Sequence, residues 1–173
     1  GSSTACALML DLIKTDKIGD NGLKHIFLID PIVIPSDKSL TLIGLIGPML
    51  GYFESTNTTT EDSYYYRFKP QETLKELLNL TNKVRKDLQN GFNLPQNTQM
   101  KVYKSTNDDV ADAVSAVLLY KGLKNNDGSK INIQMIDSKL HVVTRLDGRD
   151  NITQEDIDIQ KQVFDDMLMI IAQ

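Results

Sequence analysis

Apolar residues along this chain alternate between the three- and four-residue spacing of helices and the short continuous runs of buried strands. Helical spacing comes first, over residues 4–14, and predicts a helix that begins almost at the first residue. A turn signal at residues 19–22 follows, and the apolar run of residues 24–31 then ends at Pro31. Because this run is short and contains β-branched residues, it predicts a buried strand.

The same alternation resumes at Pro70 and continues to the end of the chain. The predicted elements are a helix from Pro70 to about residue 90, a strand at 99–105, a helix capped by Asp112 and running to Leu123, a strand at 131–137 and a helix from about Thr153. Helices alternating with strands in this way predict an α/β fold, with a parallel sheet flanked by helices.

The last helix has its own sequence signals. Thr153 and Asp156 have the spacing of a capping box. A set of apolar residues then recurs at helical steps and predicts a buried stripe, made of Ile157, Val163, Phe164, Met167, Leu168 and Ile171.

Residues 38–70 have no clean period. The segment joins an apolar stretch broken by glycine and proline, a polar loop and an aromatic patch at residues 64–66. Long loop regions inside a compact domain are usually functional, so we expect an insertion that acts as a cap or lid.

Composition narrows the class of protein without naming a function. The 173 residues, 40% hydrophobic and 24% charged, predict one globular domain over 1–173 and exclude collagen-like, disordered and disulfide-scaffold chains. A net charge of -4 without a basic cluster argues against nucleic acid as a partner. One cysteine, Cys6, cannot form an internal disulfide, and two histidines argue against a His-rich metal site.

Membrane insertion and secretion are not expected either. The most apolar run, residues 40–53, is about half the length that a spanning helix needs and is interrupted by glycine and proline. The first residues lack the basic start of a signal peptide, so we expect a cytoplasmic protein.

Residues able to carry chemistry follow two of the predicted strands. In parallel α/β sheets, ligands and catalytic groups lie in the loops at the carboxyl ends of strands. Residues 106–112, after one strand, are rich in aspartate, and residues 138–144, after the next, contain His141. A carboxylate from the first loop can therefore orient the imidazole of the second, and the serines at the start of the chain offer a nucleophile.

Several motifs together resemble the carboxyl-terminal half of an α/β-hydrolase of the carboxylesterase and monoacylglycerol-lipase type. Gly1-x-Ser3-x-Ala5 is similar to the nucleophile elbow G-x-S-x-G, with alanine in place of the last glycine. Residues 105–116 resemble the acid loop of the family, and residues 138–147 resemble its histidine loop with one extra residue. The resemblance covers nearly the whole chain, and the first five strands of the family would precede it.

By this resemblance, Ser3 is the nucleophile, His141 the general base and Asp108 the residue that orients His141, while the backbone N–H of Thr4 is an oxyanion donor. Two alternatives stay open, Ser2 for the nucleophile and Asp109 for the acid. The segment 38–70 corresponds to the family's cap, and its apolar part would form one wall of the substrate pocket through Leu42, Ile43, Met49 and Phe53.

The resemblance implies hydrolysis of a carboxylic ester, with a small-molecule ester or a lipid as substrate and no metal or organic cofactor. The alternative is a non-catalytic fragment or interaction module. Such a module would pair through its exposed sheet edge, either with the missing amino-terminal half or in a homo-oligomer.

Overall fold

A computed structural model describes residues 1–18, 23–36 and 51–172, with the backbone alone at position 53. Its helices are α1 (Thr4–Lys14), α2 (Gln71–Asn90), α3 (Val114–Gly122) and α4 (Gln154–Ile171). Its strands are β1 (His25–Ile29), β2 (Tyr52–Glu54), β3 (Phe68–Pro70), β4 (Phe92–Asn93), β5 (Gln99–Ser105), β6 (Leu123–Lys124) and β7 (Asn132–Ile136), and a 3₁₀ turn spans Glu61–Ser63.

The main sheet of the described residues is parallel, in the order β1-β5-β7. All three strands were predicted from the sequence, and β5 has the predicted bounds. The first residues of the chain run along the outer edge of β1, where Ser2 pairs with Ile29 in parallel. The carboxyl ends of the three strands and of this first segment therefore lie at the same end of the sheet, as the prediction of a parallel α/β fold requires.

Helices cover both faces of the sheet. On one face, α1, α2 and α3 pack against β1 and β5 in a cluster that includes Leu10, Leu28, Val84, Val102 and Leu119. On the other face, α4 packs through Val163 and Met167 against Tyr103 and Val143. The sheet is thus the middle of three layers.

The backbones of α2 and α3 approach very closely at Gly122. A Cβ atom at this position would lie 2.0 Å from the carbonyl oxygen of Leu88. Only glycine fits such a contact without moving one of the two helices.

The buried stripe predicted for α4 is wrong in part. Val163 and Met167 are buried, but the other apolar positions that were expected in the stripe are exposed: Ile157, Phe164, Leu168 and Ile171. The predicted helical period is correct, but the sheet and its loops contact only a narrow strip of α4. The spacing of residues does not show how wide the contact with a neighbouring layer is.

The predicted insertion is described only from residue 51 onward. There, β2 and β3 form an antiparallel pair in which Phe53 is opposite Lys69. Residues 37–50 lie outside the described residues, and the assignment of 38–70 as a cap stays a prediction. Beyond the predicted elements, β4 and β6 form a two-residue parallel pair that the sequence pattern did not indicate.

The predicted capping box of α4 is confirmed, and Asp112 bonds to the first turn of α3 from the position before the N-cap residue, Ala113. Asp112 accepts a hydrogen bond from the backbone N–H of Val114 at 2.8 Å, at the start of α3. At the start of α4, Oγ1 of Thr153 accepts from the N–H of Asp156 at 3.2 Å, and Oδ2 of Asp156 accepts from the N–H of Thr153 at 2.9 Å. This reciprocal pair satisfies two N–H groups that have no partner within the helix.

Replacing Thr153 with alanine is expected to lower the free energy of unfolding by about 1 kcal/mol, because an N–H of the first turn loses its acceptor. Urea denaturation followed by circular dichroism measures the change. Thr59→Ala removes the same side chain from an exposed loop position and serves as the control. Equal stabilities for the two variants would show that the capping box contributes nothing.

Candidate active site

Ser3 lies at a sharp turn between the edge of the sheet and α1. Its backbone has φ 52° and ψ -122°, a conformation that is strained for any residue with a side chain. Hydrogen bonds to one residue of β1 hold the turn on both sides: the N–H of Ile29 donates to the carbonyl of Gly1 at 3.0 Å, and the N–H of Ser3 donates to the carbonyl of Ile29 at 3.0 Å. A strained turn fixed in this way directs the serine hydroxyl away from the helix.

His141 lies in the loop that follows β7. Its Nε2 is 2.7 Å from Oγ of Ser3, although the two residues are 138 positions apart in sequence. Before it, the N–H of Leu140 donates to Oγ of Ser138 at 3.0 Å, and after it Val142 has a φ of 62°. The guanidinium of Arg149 donates to the carbonyl of His141. Contacts on both sides of His141 therefore fix the path of this loop.

Asp108 completes a hydrogen-bonded row with the serine and the histidine. Its Oδ2 is 2.8 Å from Nδ1 of His141, and its side chain is fully buried. Its Oδ1 accepts from the backbone N–H groups of Val110 at 2.8 Å and Ala111 at 3.1 Å. Since an ionised carboxylate only accepts hydrogen bonds, these partners favour the histidine tautomer with its proton on Nδ1.

The ionisation of Asp108 follows from its partners. Burial alone would raise the pKa of its carboxyl, but hydrogen bonds from His141, Lys104 and the backbone of Ala111 outweigh that effect and hold the pKa well below its usual range. Asp108 is therefore an anion throughout the pH range in which an imidazole titrates.

The structure brings together Ser3, Asp108 and His141, the three residues that the family resemblance indicated. Asp108, and not the exposed Asp109, contacts His141, and Ser3, and not Ser2, contacts Nε2. Thr4 is the first residue of α1, so its N–H belongs to the turn whose N–H groups have no acceptor within the helix. Such a group beside a serine hydroxyl can stabilise a developing oxyanion.

Two charged residues next to the row were missed by the sequence analysis. Lys104 and Asp30 have fully buried side chains, and the ammonium nitrogen of Lys104 lies 2.7 Å from Oδ2 of Asp108 and 3.3 Å from Oδ1 of Asp30. A signal was present, because Asp30 follows Ile26 and Leu28 at every second position, in the buried phase of β1. Charges in the buried phase of a strand are rare unless they are paired.

A cavity of about 750 Å³ opens over Ser3 and His141. Its lining includes the aromatic residues at 64–66 and several charged residues, among them Lys69, Lys139, Arg145 and Arg149. Arg145 lies 4.9 Å from the ring of Tyr65. Of the apolar wall predicted from the sequence, Leu42, Ile43 and Met49 lie outside the described residues, as does the side chain of Phe53.

Cys6 is not a second nucleophile of this site. Its thiol is buried in α1 and donates to the carbonyl of Gly1 at 3.2 Å. Burial raises the pKa of the thiol to about 12, so the reactive thiolate is absent near neutral pH.

Within residues 1–18, 23–36 and 51–172, no group of three histidine, cysteine or acidic side chains could hold a metal ion. In the same part of the chain, no helix is long and apolar enough to cross a membrane.

Comparisons with known proteins find relatives by structure alone. No family model and no curated protein sequence matches the chain. A monoglyceride lipase from Saccharomyces cerevisiae, solved with a substrate analog, matches with a TM-score of 0.68 and 11% identity over 96% of this chain and 58% of its own. A metagenome-derived lipolytic enzyme, from work on LipS and LipT, matches with a TM-score of 0.65 and 12% identity over 95% of this chain and 61% of its own.

A monoacylglycerol lipase from Paleococcus ferrophilus matches as well, with a TM-score of 0.60 and 9% identity over 91% of this chain and 62% of its own. The chain thus spans about three-fifths of the length of the solved structures that it matches. At these identities the likeness establishes the architecture, and the chain has the α/β-hydrolase fold over the part that it shares with these enzymes.

Proposed function

We propose that this chain carries the catalytic residues of a serine hydrolase that cleaves carboxylic esters through an acyl-enzyme on Ser3. The observation that carries the proposal is the hydrogen-bonded row from Ser3 through His141 to Asp108, with distances of 2.7 Å and 2.8 Å. A serine hydroxyl is a weak nucleophile at neutral pH and needs a base within hydrogen-bond distance.

In the first half of the reaction, Oγ of Ser3 attacks the ester carbonyl while Nε2 of His141 takes the hydroxyl proton. The carbonyl oxygen becomes an oxyanion, to which the N–H of Thr4 can donate. As the tetrahedral intermediate collapses, the ester C–O bond breaks and the imidazolium returns its proton to the leaving alkoxide. The alcohol departs, and the acyl group stays on Ser3.

In the second half, a water molecule replaces the alcohol. His141 takes a proton from the water, the resulting hydroxide attacks the acyl carbonyl, and the bond to Oγ of Ser3 breaks as the proton passes back to Ser3. Asp108 stays ionised throughout, holds the tautomer of His141 and stabilises the imidazolium in both halves.

A small-molecule ester or a lipid ester is the proposed substrate. The proposal is supported by the cavity over Ser3, and by the matched structures whose names describe lipolytic enzymes and monoacylglycerol lipases. The chain spans only part of the length of these structures, and a shared fold does not determine which acyl and alcohol groups an enzyme accepts. The proposal therefore names the class of substrate, a carboxylic ester, and no particular ester.

A fluorophosphonate probe tests the function directly, because it phosphonylates only a serine that a base has activated. We expect one probe per wild-type chain and no labelling of Ser3→Ala. Ser2→Ala is the matched control, since it removes the neighbouring hydroxyl, and it should label like wild type. A wild-type chain that is folded by circular dichroism but takes up no probe would contradict the proposal and favour the non-catalytic alternative.

A further inference from the structure

Two buried charges stand side by side at the ends of adjacent strands. In the register of the sheet, Ile26 is opposite Met100 and Leu28 is opposite Val102. The next members of these two buried rows are Asp30 and Lys104, and the backbone N–H of Asp30 donates to the carbonyl of Tyr103 at 2.8 Å. The charges are therefore built into the sheet itself, at the edge where the candidate active site lies.

All three donors of the Lys104 ammonium have acceptors. These acceptors are Oδ2 of Asp108 at 2.7 Å, the carbonyl of Ser105 at 2.9 Å and Oδ1 of Asp30 at 3.3 Å. With a side-chain exposure of 0%, the lysine cannot reach water. A buried cation is tolerated only when it is paired and hydrogen-bonded in this way.

Asp30 connects this cation to the loop that holds His141. Its Oδ1 accepts from the N–H of Ser105 at 2.7 Å, and its Oδ2 accepts from the N–H groups of Val142 at 2.8 Å and Val143 at 3.3 Å. Oγ of Ser105 donates its single proton to the carbonyl of Leu140 at 2.8 Å, and it lies 3.3 Å from Oδ2 of Asp30. One buried carboxylate thus contacts the residues directly after the histidine.

Together the buried side chains carry a definite charge. Asp30 and Asp108 contribute two negative charges and Lys104 one positive charge, which leaves a net charge of -1 beside His141. When His141 takes the proton of Ser3, the imidazolium adds one positive charge, and the three buried side chains and His141 together become neutral. Without Lys104 the cluster would retain a net negative charge of one unit, and without Asp30 it would carry a positive one.

We propose that Lys104 and Asp30 are positioning residues that set the charge beside His141 and fix its loop, a role that rests on the proposed serine hydrolase function. Lys104 holds Asp108 in place and cancels the charge of Asp30. Asp30 in turn anchors Val142 and Val143, so that the imidazole stays between Ser3 and Asp108.

The titration of His141 in NMR spectra tests this role without requiring activity. The chain has two histidines, so the spectrum shows two ring signals, and His25→Gln identifies the second. Lys104→Met adds one unit of negative charge to the cluster and should raise the pH at which His141 titrates by about one unit. Asp30→Asn removes one unit and should lower it by a similar amount, while the double variant has the wild-type charge and should titrate near the wild-type pH.

Other charged groups near His141 stay the same in these variants. They are Glu61, Lys69, Asp109, Lys139, Arg145 and Arg149, with the tyrosines at 64–66. Lys101→Met is the matched control, because Lys101 is on the same strand but pairs with Asp166 of α4 at 3.2 Å. It should leave the titration of His141 unchanged.

Opposite shifts for the two single variants support the proposal. A folded single variant that leaves the titration of His141 unchanged, or two shifts in the same direction, would overturn it. If Lys104→Met does not fold, two other results test the proposal. Asp30→Asn should lower the pH at which His141 titrates, and the double variant should return it to near the wild-type pH.

The rate of fluorophosphonate labelling gives a second measurement. Lys104→Met should slow labelling by about 100-fold, because a misplaced carboxylate no longer orients the base, and the double variant should recover part of the loss. A purely structural role would lower the rate without moving the pH dependence. If the wild-type chain is not labelled at all, the proposed function fails, whereas the NMR shifts still report whether the charge cluster acts on His141.

Discussion

Replacement of His141 by glutamine is expected to lower ester turnover by about 10⁵-fold. His141 is the proposed base, its ring nitrogen contacts Oγ of Ser3, and an amide cannot take up the hydroxyl proton near neutral pH. Glutamine can still accept a hydrogen bond, so the turn at Ser3 should keep its shape. The loss should therefore appear in kcat, with little change in KM.

Hydrolysis of a chromogenic short-chain ester measures this effect. His25→Gln makes the same replacement in β1, where the ring stacks on Phe27 away from Ser3, and should keep nearly full activity. Equal activities for the His141 and His25 variants would remove the general base from the proposed mechanism.

The second large effect is expected at Asp108, where asparagine should lower kcat by about 10⁴-fold. The amide of asparagine can donate to Nδ1 of His141 and so favours the tautomer with its proton on Nε2, which cannot accept the proton of Ser3. Lys104 would in addition face a neutral group at 2.7 Å in place of a carboxylate. Both changes act on the transition state more than on the bound substrate.

Asp109→Asn is the matched control for this variant, because Asp109 is exposed and its carboxylate does not contact His141. It should stay within a few-fold of the wild-type rate. If Asp109→Asn lost activity and Asp108→Asn did not, the orienting acid would be the neighbouring residue.

The pH dependence of turnover follows from the pKa of Asp108, which its hydrogen bonds lower well below the usual range. Because a depressed carboxyl pKa keeps the group ionised until the pH falls through that low value, Asp108 does not titrate near neutrality. Activity should therefore rise with pH along a single limb that reports the deprotonation of His141. Two overlapping acidic limbs would mean that Asp108 also takes up a proton in that range.

Much of the fold could be predicted because the chain alternates clearly between two periods. Helix α1 and strand β5 have the bounds that the spacing indicates, since each carries a regular apolar pattern that ends at a polar or turn-forming residue. The coverage of α4 could not be predicted, because the exposure of Phe164 and Leu168 depends on which neighbours reach that helix. The β4–β6 pair is only two residues long and leaves no periodic signal.

Some residues of the candidate site could likewise be predicted from the sequence, and others could not. Residue type and position after a strand were enough to indicate His141 and an aspartate before it, while the choice of Asp108 over Asp109 depended on resemblance. Asp30 and Lys104 were missed because Asp30 stands at the end of an apolar run and Lys104 is one of several polar residues in its strand. They form a buried ion pair only because the register places them side by side, and register is a property of the folded sheet.

The row of Ser3, His141 and Asp108 joins parts of the chain that are far apart, since Ser3 and His141 are separated by 138 residues and His141 and Asp108 by 33. Contacts between distant residues form late, because the entropy of closing a long loop opposes them until the intervening elements have packed. Helices α1 and α2 can form locally without assembling any reactive centre. The rate at which Ser3 becomes reactive towards a probe would therefore report when folding is complete. This reactivity appears only when the loop that carries His141 has docked on the first turn of the chain.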